Sequence, residues 1–391
     1  MAEAARKLPV PEGGSCTTDS RAVVQGLSAK ELVFALVGPI GSGASKIAGI
    51  LSETLKNAGY DSEIFKARDI IEEWSKLDAL AKSDSPNNTT HLQNEGDRMR
   101  EKDHAAIALG FIEKIRNFRG EKQGRSVSQG EPIDPDDTKR AYILDSLRHP
   151  AEVILLRSVY QDAFCLVGVV CDNHDIRKNR LNSKNDGKIS PRDIEQMMGR
   201  DEKAEEKHGQ HVADTFHLAD FFIDNTPDEF NVQNDKSTKT PNQKWTVKEK
   251  IGRLVDILTH TKIVRPYPNE SAMFHADGAR MRSACLSRQV GAALTDRHGN
   301  VIATGTNEVP RAGGGTYGSC LEDRHNEPGQ DHRCFFHGNQ CRNTEEQNAI
   351  IRELLGVVQN TETASVDEAL VQKMGVLTKE RYHILNVSVH M

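Results

Sequence analysis

A continuous apolar run, a glycine-rich turn and an amphipathic segment open the patterned part of the chain. Residues Leu32–Val37 are all apolar, which is the pattern of a strand buried on both faces of a parallel sheet. Residues Gly38–Gly43 include three glycines, and Ser45–Asn57 then carries isoleucine and leucine residues at helical spacing. Strand, glycine turn and helix in this order predict the beginning of a βαβ unit.

Four more short apolar segments predict strands, and long amphipathic segments lie between them. The amphipathic segments include Glu95–Phe118 and Ile194–Val212, both highly charged and spaced as helices. Strands that alternate with helices predict an α/β domain with three layers around a parallel sheet. The additional predicted strands are Ser62–Phe65, Ala141–Leu144, Phe164–Cys171 and Phe221–Asp224.

Changes in composition predict the domain organisation. Residues 1–30 are rich in Gly, Ser and Pro and predict a flexible leader, followed by the α/β domain over 31–226. Residues 227–246 are polar, contain two prolines and predict a linker to a second domain over 247–391. The second domain opens with two predicted helices and a predicted hairpin: Val247–Thr259, Glu270–Leu286, Val290–Thr295 and Val301–Thr306.

Composition and charge narrow the class of protein. The 391 residues predict two or three domains, and 37% hydrophobic with 28% charged residues rules out wholesale disorder. The net charge of -6 argues against a general nucleic-acid coat protein, which needs a basic surface. The chain has no apolar run of about 18 residues, and its first 30 residues have no signal-type apolar core. These features predict a cytoplasmic protein without a membrane partner.

The glycine turn after the first predicted strand nearly matches the phosphate-binding pattern G-x-x-x-x-G-K-[ST]. Gly38, Gly41 and Gly43 would let backbone N–H groups curl around a phosphate, and the helix N-terminus adds its dipole. Ser45 stands at the position that holds magnesium, and Asp145 stands where a second magnesium-handling carboxylate lies in such folds. These five residues are the predicted nucleotide-binding residues, with Mg²⁺ accompanying the nucleotide.

One position departs from this pattern, because Ala44 stands where the pattern has lysine. Lys46 comes two residues after Ala44 and one residue after Ser45, the hydroxyl position of the pattern. In a helix, its side chain points roughly 100° away from that of Ser45. This departure predicts weak nucleotide binding without phosphoryl transfer. The alternative is a tight strand–helix turn that binds no ligand. Four arginines either close over the phosphates or lie on a solvated helix: Arg177, Arg180, Arg192 and Arg200.

Several stretches of the first predicted domain resemble one protein family. On these stretches, residues 31–226 resemble the degenerate P-loop, nucleotide-kinase-like domain of bacterial two-domain anti-phage deoxycytidine-nucleotide deaminases. The stretches that carry the resemblance are Leu36–Gly43, Tyr142–Val153, Gly209–Phe216 and Ala219–Asp224.

The second predicted domain resembles the start of the deoxycytidylate deaminase domain of that family. Ala272–Ser287 resembles its first helix, Gln289–Leu294 its first strand and Thr304–Glu308 the strand end that meets substrate. The resemblance implies that Asn307 contacts the ribose of the substrate, since an amide both donates to and accepts from a hydroxyl. The alternative for Asn307 is an Asx-type turn at the end of the strand.

The resemblance has implications for fold, activity and partners. It implies a P-loop NTPase-like domain followed by an incomplete α/β/α cytidine-deaminase-like domain. The implied enzyme uses Zn²⁺ to hydrolyse the exocyclic amine of dCTP or dCMP, giving dUTP or dUMP, and so depletes deoxycytidine nucleotides during phage attack. The P-loop domain would regulate this activity. A small inhibitory RNA and assembly into a homo-oligomer are implied by the resemblance alone.

The zinc motif of the family is incomplete in this sequence. A zinc deaminase carries H-x-E followed by P-C-x-x-C, in which the glutamate moves protons. His390 stands where the first zinc ligand would be, but no glutamate and no P-C-x-x-C follow it. The expectation is a truncated product, a disrupted gene or a fragment of a deaminase. The alternative is a catalytically dead nucleotide-binding protein, or a P-loop nucleotide-kinase-like protein, in which His390 is a terminal histidine.

A second group of metal-ligand residues lies between positions 320 and 341. Three cysteines, Cys320, Cys334 and Cys341, have the spacing C-x13-C-x6-C, and three histidines lie among them. Thiolates and imidazoles at four tetrahedral points suit zinc, so the segment predicts a structural zinc site. The segment has no C-x2-C knuckle, and the alternative is a polar loop with free thiols.

Overall fold

The chain divides into two units, Met1–Val264 and Arg265–Met391. A computed structural model describes residues 30–77, 88–126, 130–184, 189–202, 209–232, 239–309, 317, 333–336, 341–359 and 366–377. Four sequence-predicted features lie outside these residues: positions 1–29 of the leader, Cys320, the three histidines of the predicted zinc segment, and His390.

A five-stranded parallel sheet forms the centre of the first unit, with the strand order β2-β3-β1-β4-β5. The central strand β1 is buried along its whole length, and Phe34 pairs with Ile143 on one side and Cys165 on the other. The α/β class and the parallel sheet predicted from the apolar runs are therefore confirmed. The strands are β1 (Glu31–Val37), β2 (Asp61–Lys66), β3 (Arg140–Asp145), β4 (Phe164–Val170) and β5 (Phe221–Asp224).

Helices cover both faces of this sheet, and a short antiparallel pair of strands, β6 (Phe230–Val232) and β7 (Lys239–Pro241), follows it. None of the helices in the described segments is both long and apolar enough to cross a membrane. The helices of the first unit are α1 (Ala44–Asn57), α2 (Ala67–Leu77), α3 (Asn88–Lys102), α4 (Ala106–Lys122), α5 (Pro150–Tyr160), α6 (His174–Lys184), α7 (Pro191–Glu202), α8 (Val212–Phe216) and α9 (Val247–Thr259).

The alternation of side chains along β1 separates two cores. Phe34 lies in the core that contains Leu51 of α1 and Ile251 of α9. Val33 lies in the opposite core, which contains Phe111 of α4. Successive residues of a strand point to opposite faces of the sheet, so a wholly apolar strand supplies both cores at once.

Helix α9 lies in the first unit, whereas the sequence-based boundary placed it in the second domain. Val247, Ile251 and Leu254 are buried in the same core as Phe34 of the central strand. The apolar side of α9 packs beside α1 on the sheet face. The structural division therefore comes after Val264, later than the predicted linker over residues 227–246.

The predicted amphipathic segment Glu95–Phe118 is two helices, α3 and α4, in the structure. Asp103 lies at the break, where its side chain accepts the backbone N–H of Ala105 at 2.7 Å. An aspartate side chain that bonds nearby backbone competes with helical hydrogen bonds. The pattern of apolar positions continues across this break and for that reason does not reveal it.

The second unit begins with α10 (Pro268–Arg280) and the antiparallel hairpin of β8 (Gly291–Thr295) and β9 (Val301–Thr306). Asp296 stabilises the hairpin turn by accepting backbone N–H groups at 2.8 and 2.9 Å. The hairpin matches the two predicted strands. The helix ends at Arg280, earlier than predicted, and α10 packs against both strands.

The rest of the second unit contains a short 3-10 turn, Cys334–Phe336, and two helices. The helices α11 (Arg342–Gln359) and α12 (Glu368–Leu377) pack together around Ile351 and Val371. Several large apolar side chains of this unit are more than half exposed: Met273, Phe274, Leu294, Ile302 and Leu354.

A buried ion pair joins α3 to α5 below the sheet edge. Arg100 is 1% exposed and Glu152 is 0% exposed, and their Nε and Oε1 atoms are 2.8 Å apart. The other carboxylate oxygen of Glu152 accepts the backbone N–H of Arg148 at 2.8 Å. Both oxygens of this buried carboxylate are therefore hydrogen-bonded.

We expect Glu152→Ala to lower the free energy of unfolding by about 3–5 kcal/mol, because it leaves the buried charge of Arg100 without this partner. Urea unfolding followed by circular dichroism measures this loss. Glu113→Ala, which removes a carboxylate that is 63% exposed, is the matched control and should stay within about 0.5 kcal/mol of wild type. Equal losses in the two variants would contradict the prediction.

Candidate phosphate-binding site

The glycine loop connects β1 to α1, as the sequence predicts. Gly41 and Gly43 have φ values of 84° and 89°, in the left-handed region. A Cβ atom on Gly41 would lie 2.7 Å from the carbonyl oxygen of Arg177, and one on Gly43 would lie 2.5 Å from Nδ2 of Asn225. Only glycine fits these two positions without strain, because each combines positive φ with close neighbours.

Backbone N–H groups of this loop are available to a ligand. Within the described residues, no acceptor binds the N–H groups of Gly41, Gly43, Ala44 or Ser45. Helix α1 has neither a side-chain N-cap nor an acidic residue in its first turn. Unsatisfied amides and the positive end of the helix dipole at one place favour an anion there.

Two adjoining cavities lie beside the loop. The smaller, about 260 Å³, is lined by residues 38–45 together with Asp145, Arg148 and Arg180. The larger, about 550 Å³, extends past α2 and α3 to Arg68 and Arg100. The residues that line both cavities mark their junction: Ile40, Ser45, Asp145, Ser146 and Arg148.

Ser45 and Asp145, the two predicted magnesium-handling residues, line both cavities. Ser45 is exposed at the start of α1, and Asp145 is 9% exposed at the end of β3, opposite Leu36 of β1. Among the described residues, no group of three or more His, Cys, Asp or Glu is placed to hold a metal by itself. This pair suits Mg²⁺ that arrives with a phosphate ligand, since Mg²⁺ commonly binds one or two carboxylates plus substrate phosphates.

Lys46 is directed away from the loop. Its Nζ atom lies 2.7 Å from the carboxylate of Glu229 and 4.7 Å from the ring centre of Trp245. The side chain therefore forms an ion pair and a cation–π contact on the other side of α1. It does not replace the lysine that is missing at position 44.

Asn225 fastens the loop to the start of α9, and the sequence analysis did not identify it. The side chain is 2% exposed; its Nδ2 donates to the carbonyl of Ser42 at 2.7 Å, and its Oδ1 accepts from Nε1 of Trp245 at 3.0 Å. Asn225 directly follows β5, at the carboxyl edge of the parallel sheet where ligands of such folds bind. The sequence contains one signal for Asn225, which is that a polar residue directly follows a predicted strand.

The four predicted arginines do not act as one group. Arg180 lines the smaller cavity and donates to the carbonyl of Asn225 at 3.0 Å. Arg200 lies 2.6 Å from Asp97, Arg192 is exposed, and the backbone of Arg177 packs against Gly41. Of the four, only Arg180 lines the cavity beside the glycine loop.

Arg148, which the sequence analysis did not identify, lies where the cavities meet. Burial lowers the pKa of Arg148 to about 10, although the neighbouring carboxylate of Asp145 favours the charged form. The guanidinium is still protonated at neutral pH. It is a fixed positive charge at the junction of the two cavities beside the glycine loop.

Asn307 acts as a clamp within the second unit. Its Oδ1 accepts from the hydroxyl of Ser283 at 2.7 Å and from the N–H of Val290 at 2.9 Å. Its Nδ2 donates to the carbonyl of Arg288 at 2.7 Å. Both lone pairs of the oxygen are used, and one Nδ2 hydrogen remains for a further acceptor.

The predicted structural zinc segment is only partly described. Cys334 and Cys341 are partly buried free thiols at the 3-10 turn and just before α11. Cys320 and the three histidines of the segment lie outside the described residues. The zinc site stays a prediction.

Comparison with known proteins finds distant likenesses in structure. No family model matches the chain. No curated protein matches it. Shikimate kinase from Acinetobacter baumannii, in complex with shikimate, is 12% identical, with 62% of this chain and 99% of that chain covered and a TM-score of 0.28. A putative fructose transport system kinase from Silicibacter is 13% identical, with 52% and 98% covered and a TM-score of 0.27. Because these TM-scores are low, the assignment of the fold depends on the strand order and the glycine loop and not on these likenesses.

We expect Asn225→Ala to lower the free energy of unfolding by about 1–3 kcal/mol, because it removes one hydrogen bond to the Ser42 carbonyl and the acceptor of the Trp245 indole N–H. In a Trp74→Phe background, Trp245 is the only tryptophan and its fluorescence reports the change. Asn117→Ala, on the outside of α4, is the control. An unchanged emission spectrum and unchanged stability in Asn225→Ala would contradict this role.

Proposed function

We propose that the first unit is a regulatory domain that binds the phosphates of a nucleotide at the glycine loop, with Mg²⁺, and transfers no phosphoryl group. One observation carries this proposal. The N–H groups of Gly41, Gly43, Ala44 and Ser45 have no acceptor among the described residues, and these residues line a cavity beside Asp145. Such a cradle matches the shape and charge of a phosphate.

The two cavities support a ligand of nucleotide size. They measure about 260 and 550 Å³ and adjoin at Ser45, Asp145 and Arg148. Small-molecule sites usually measure about 300–1,000 Å³. The smaller cavity fits the phosphates, and the larger, which is lined by both polar and apolar residues, has room for a base and sugar.

The proposed absence of phosphoryl transfer follows from the alanine at position 44, where the pattern has lysine. The lysine of a phosphate-binding loop reaches the β- and γ-phosphates and stabilises the charge of the transition state. Ala44 has no such group, and Lys46 is held by Glu229. The domain therefore binds and does not turn over its ligand, which suits a sensor.

Isothermal titration with Mg·ATP and Mg·dCTP tests this proposal. We expect Ala44→Lys to bind about tenfold tighter than wild type, because it adds a charge-assisted contact to phosphate. Lys46→Ala should stay within about twofold, because Lys46 does not line either cavity. If Lys46→Ala abolished binding while Ala44→Lys had no effect, the assigned roles of the two positions would be wrong.

We expect Ser45→Ala and Asp145→Asn to weaken binding in the presence of Mg²⁺ and to change it little in EDTA, because both residues are assigned to the metal. Titrations with and without Mg²⁺ measure the difference. Thr54→Ala, further along α1, is the matched control for Ser45. No binding of any nucleotide by wild type would reject the proposed function.

A second candidate function concerns the second unit. We further infer that this unit belongs to a zinc-dependent deoxycytidine-nucleotide deaminase that acts in anti-phage defence. The resemblance supports this inference, together with α10 packed on a hairpin that ends at Asn307. His390 would be the first zinc ligand of a motif whose other members this sequence does not contain. A homo-oligomer and a small inhibitory RNA belong to the same proposal.

We expect no release of ammonia from dCTP or dCMP by the 391-residue chain, because one imidazole cannot replace a full zinc ligand set and no glutamate follows it. A coupled ammonia assay with added Zn²⁺ measures this activity. A form extended with the glutamate and P-C-x-x-C should deaminate, and its Asn307→Ala variant should use substrate less well. Chelator-sensitive activity of the 391-residue chain would show that the active site lies elsewhere.

A further inference from the structure

An aspartate of the chain itself binds one amide of the glycine loop, beside the candidate anion site. Asp201, in the last turn of α7, is 1% exposed. Its Oδ2 accepts the backbone N–H of Ile40 in the glycine loop at 2.6 Å. Its Oδ1 accepts from the guanidinium of Arg148. One amide of the loop and an arginine that lines the same cavity thus already bind a carboxylate.

The position of Asp201 is not explained by the stability of α7. A negative charge near the C-terminus of a helix is unfavourable, because the helix dipole is negative there. The carboxylate is also buried, which costs free energy unless the charge is paired. Its favourable partners are Ile40 and Arg148, both outside α7. The carboxylate is therefore stabilised by the glycine loop and by Arg148, and not by its own helix.

We infer that Asp201 is an autoinhibitory latch, an internal anion that a phosphate ligand must displace from Ile40 and Arg148. This inference rests on the proposed function, since it concerns the same phosphate site. A carboxylate and a phosphate accept hydrogen bonds from the same kinds of donor, N–H groups and guanidinium. The exchange of one anion for the other keeps the partly buried charge of Arg148 paired.

The latch lies beside the two cavities that a ligand would enter. Ile40 and Arg148 line both cavities, and Asp201 lines the larger one. Displacement of Asp201 would therefore free two donors at the junction of the cavities, the N–H of Ile40 and the guanidinium of Arg148.

The packing of α7 couples the latch to a larger movement. Ile40 packs against a small apolar cluster that includes Ile194 and Met198 of α7, while its N–H binds Asp201. Helix α7 is thus attached to the loop by both the side chain and the backbone of one residue. Release of Asp201 leaves this small cluster as the main contact between the loop and α7, so we expect the end of α7 to loosen when ligand binds.

Two measurements on the full chain test the latch. Isothermal titration with Mg·ATP and with inorganic tripolyphosphate should show that Asp201→Asn binds about tenfold tighter than wild type, since the internal competitor is neutral. Asp193→Asn removes a charge from the first turn of the same helix and should bind as wild type does. Tightening by Asp193→Asn to the same extent would mean a general charge effect and would overturn the inference.

Hydrogen exchange of the wild-type chain supplies a readout that needs no variant. Tripolyphosphate should slow exchange of the loop amides 40–45 and speed exchange of the amides near the end of α7. Slower exchange at both places would overturn the latch while it supports phosphate binding. Equal affinity of wild type and Asp201→Asn would also overturn the latch alone, whereas no binding by either would reject the proposed function and the latch together.

Discussion

The burial of β1 on both faces is the constraint on which the rest of the first unit depends. Its residues supply both cores, and its two neighbours in the sheet pair with it on either side. A strand enclosed in this way cannot shift, so its carboxyl end delivers the glycine loop to one place at the sheet edge. The carbonyl of Leu36 is held there by the N–H of Leu147 at 2.8 Å. This hydrogen bond fixes the start of the loop, while the N–H groups of Gly41, Gly43, Ala44 and Ser45 have no acceptor among the described residues.

Paired buried charges shape the surroundings of that loop. Arg100 binds Glu152, Arg148 binds Asp201, and Arg119 lies 2.6 Å from Glu31 at the start of β1. Each pair satisfies charges whose burial alone would be costly. The pair nearest the loop differs in one respect, because its carboxylate also holds a loop amide. An incoming anion can take over both of these contacts, which makes this pair exchangeable and the others structural.

The glycine loop and the sheet were predictable from the sequence because their signals are local. The apolar run of β1 and the glycines that follow it are adjacent in the chain. The partners of the loop are not adjacent: Ile40 binds Asp201 161 positions away, and Ser42 binds Asn225 183 positions away. A single sequence carries no pattern for such pairs. The assignment of α9 to the second domain was wrong for the same reason. An amphipathic helix has the same pattern of apolar residues whichever unit it packs against.

By itself, the sequence determined the α/β class, the parallel strands, the loop between β1 and α1 and the absence of a lysine at position 44. These features follow from the period of apolar residues and from the conformations that glycine alone adopts. Only the tertiary structure decided that Lys46 binds Glu229, that Asn307 binds residues ahead of β8 and that Asp201 holds a loop amide beside the anion site. Side-chain partners depend on which surfaces meet, and that is settled by the packing of the helices on the sheet rather than by spacing along the chain.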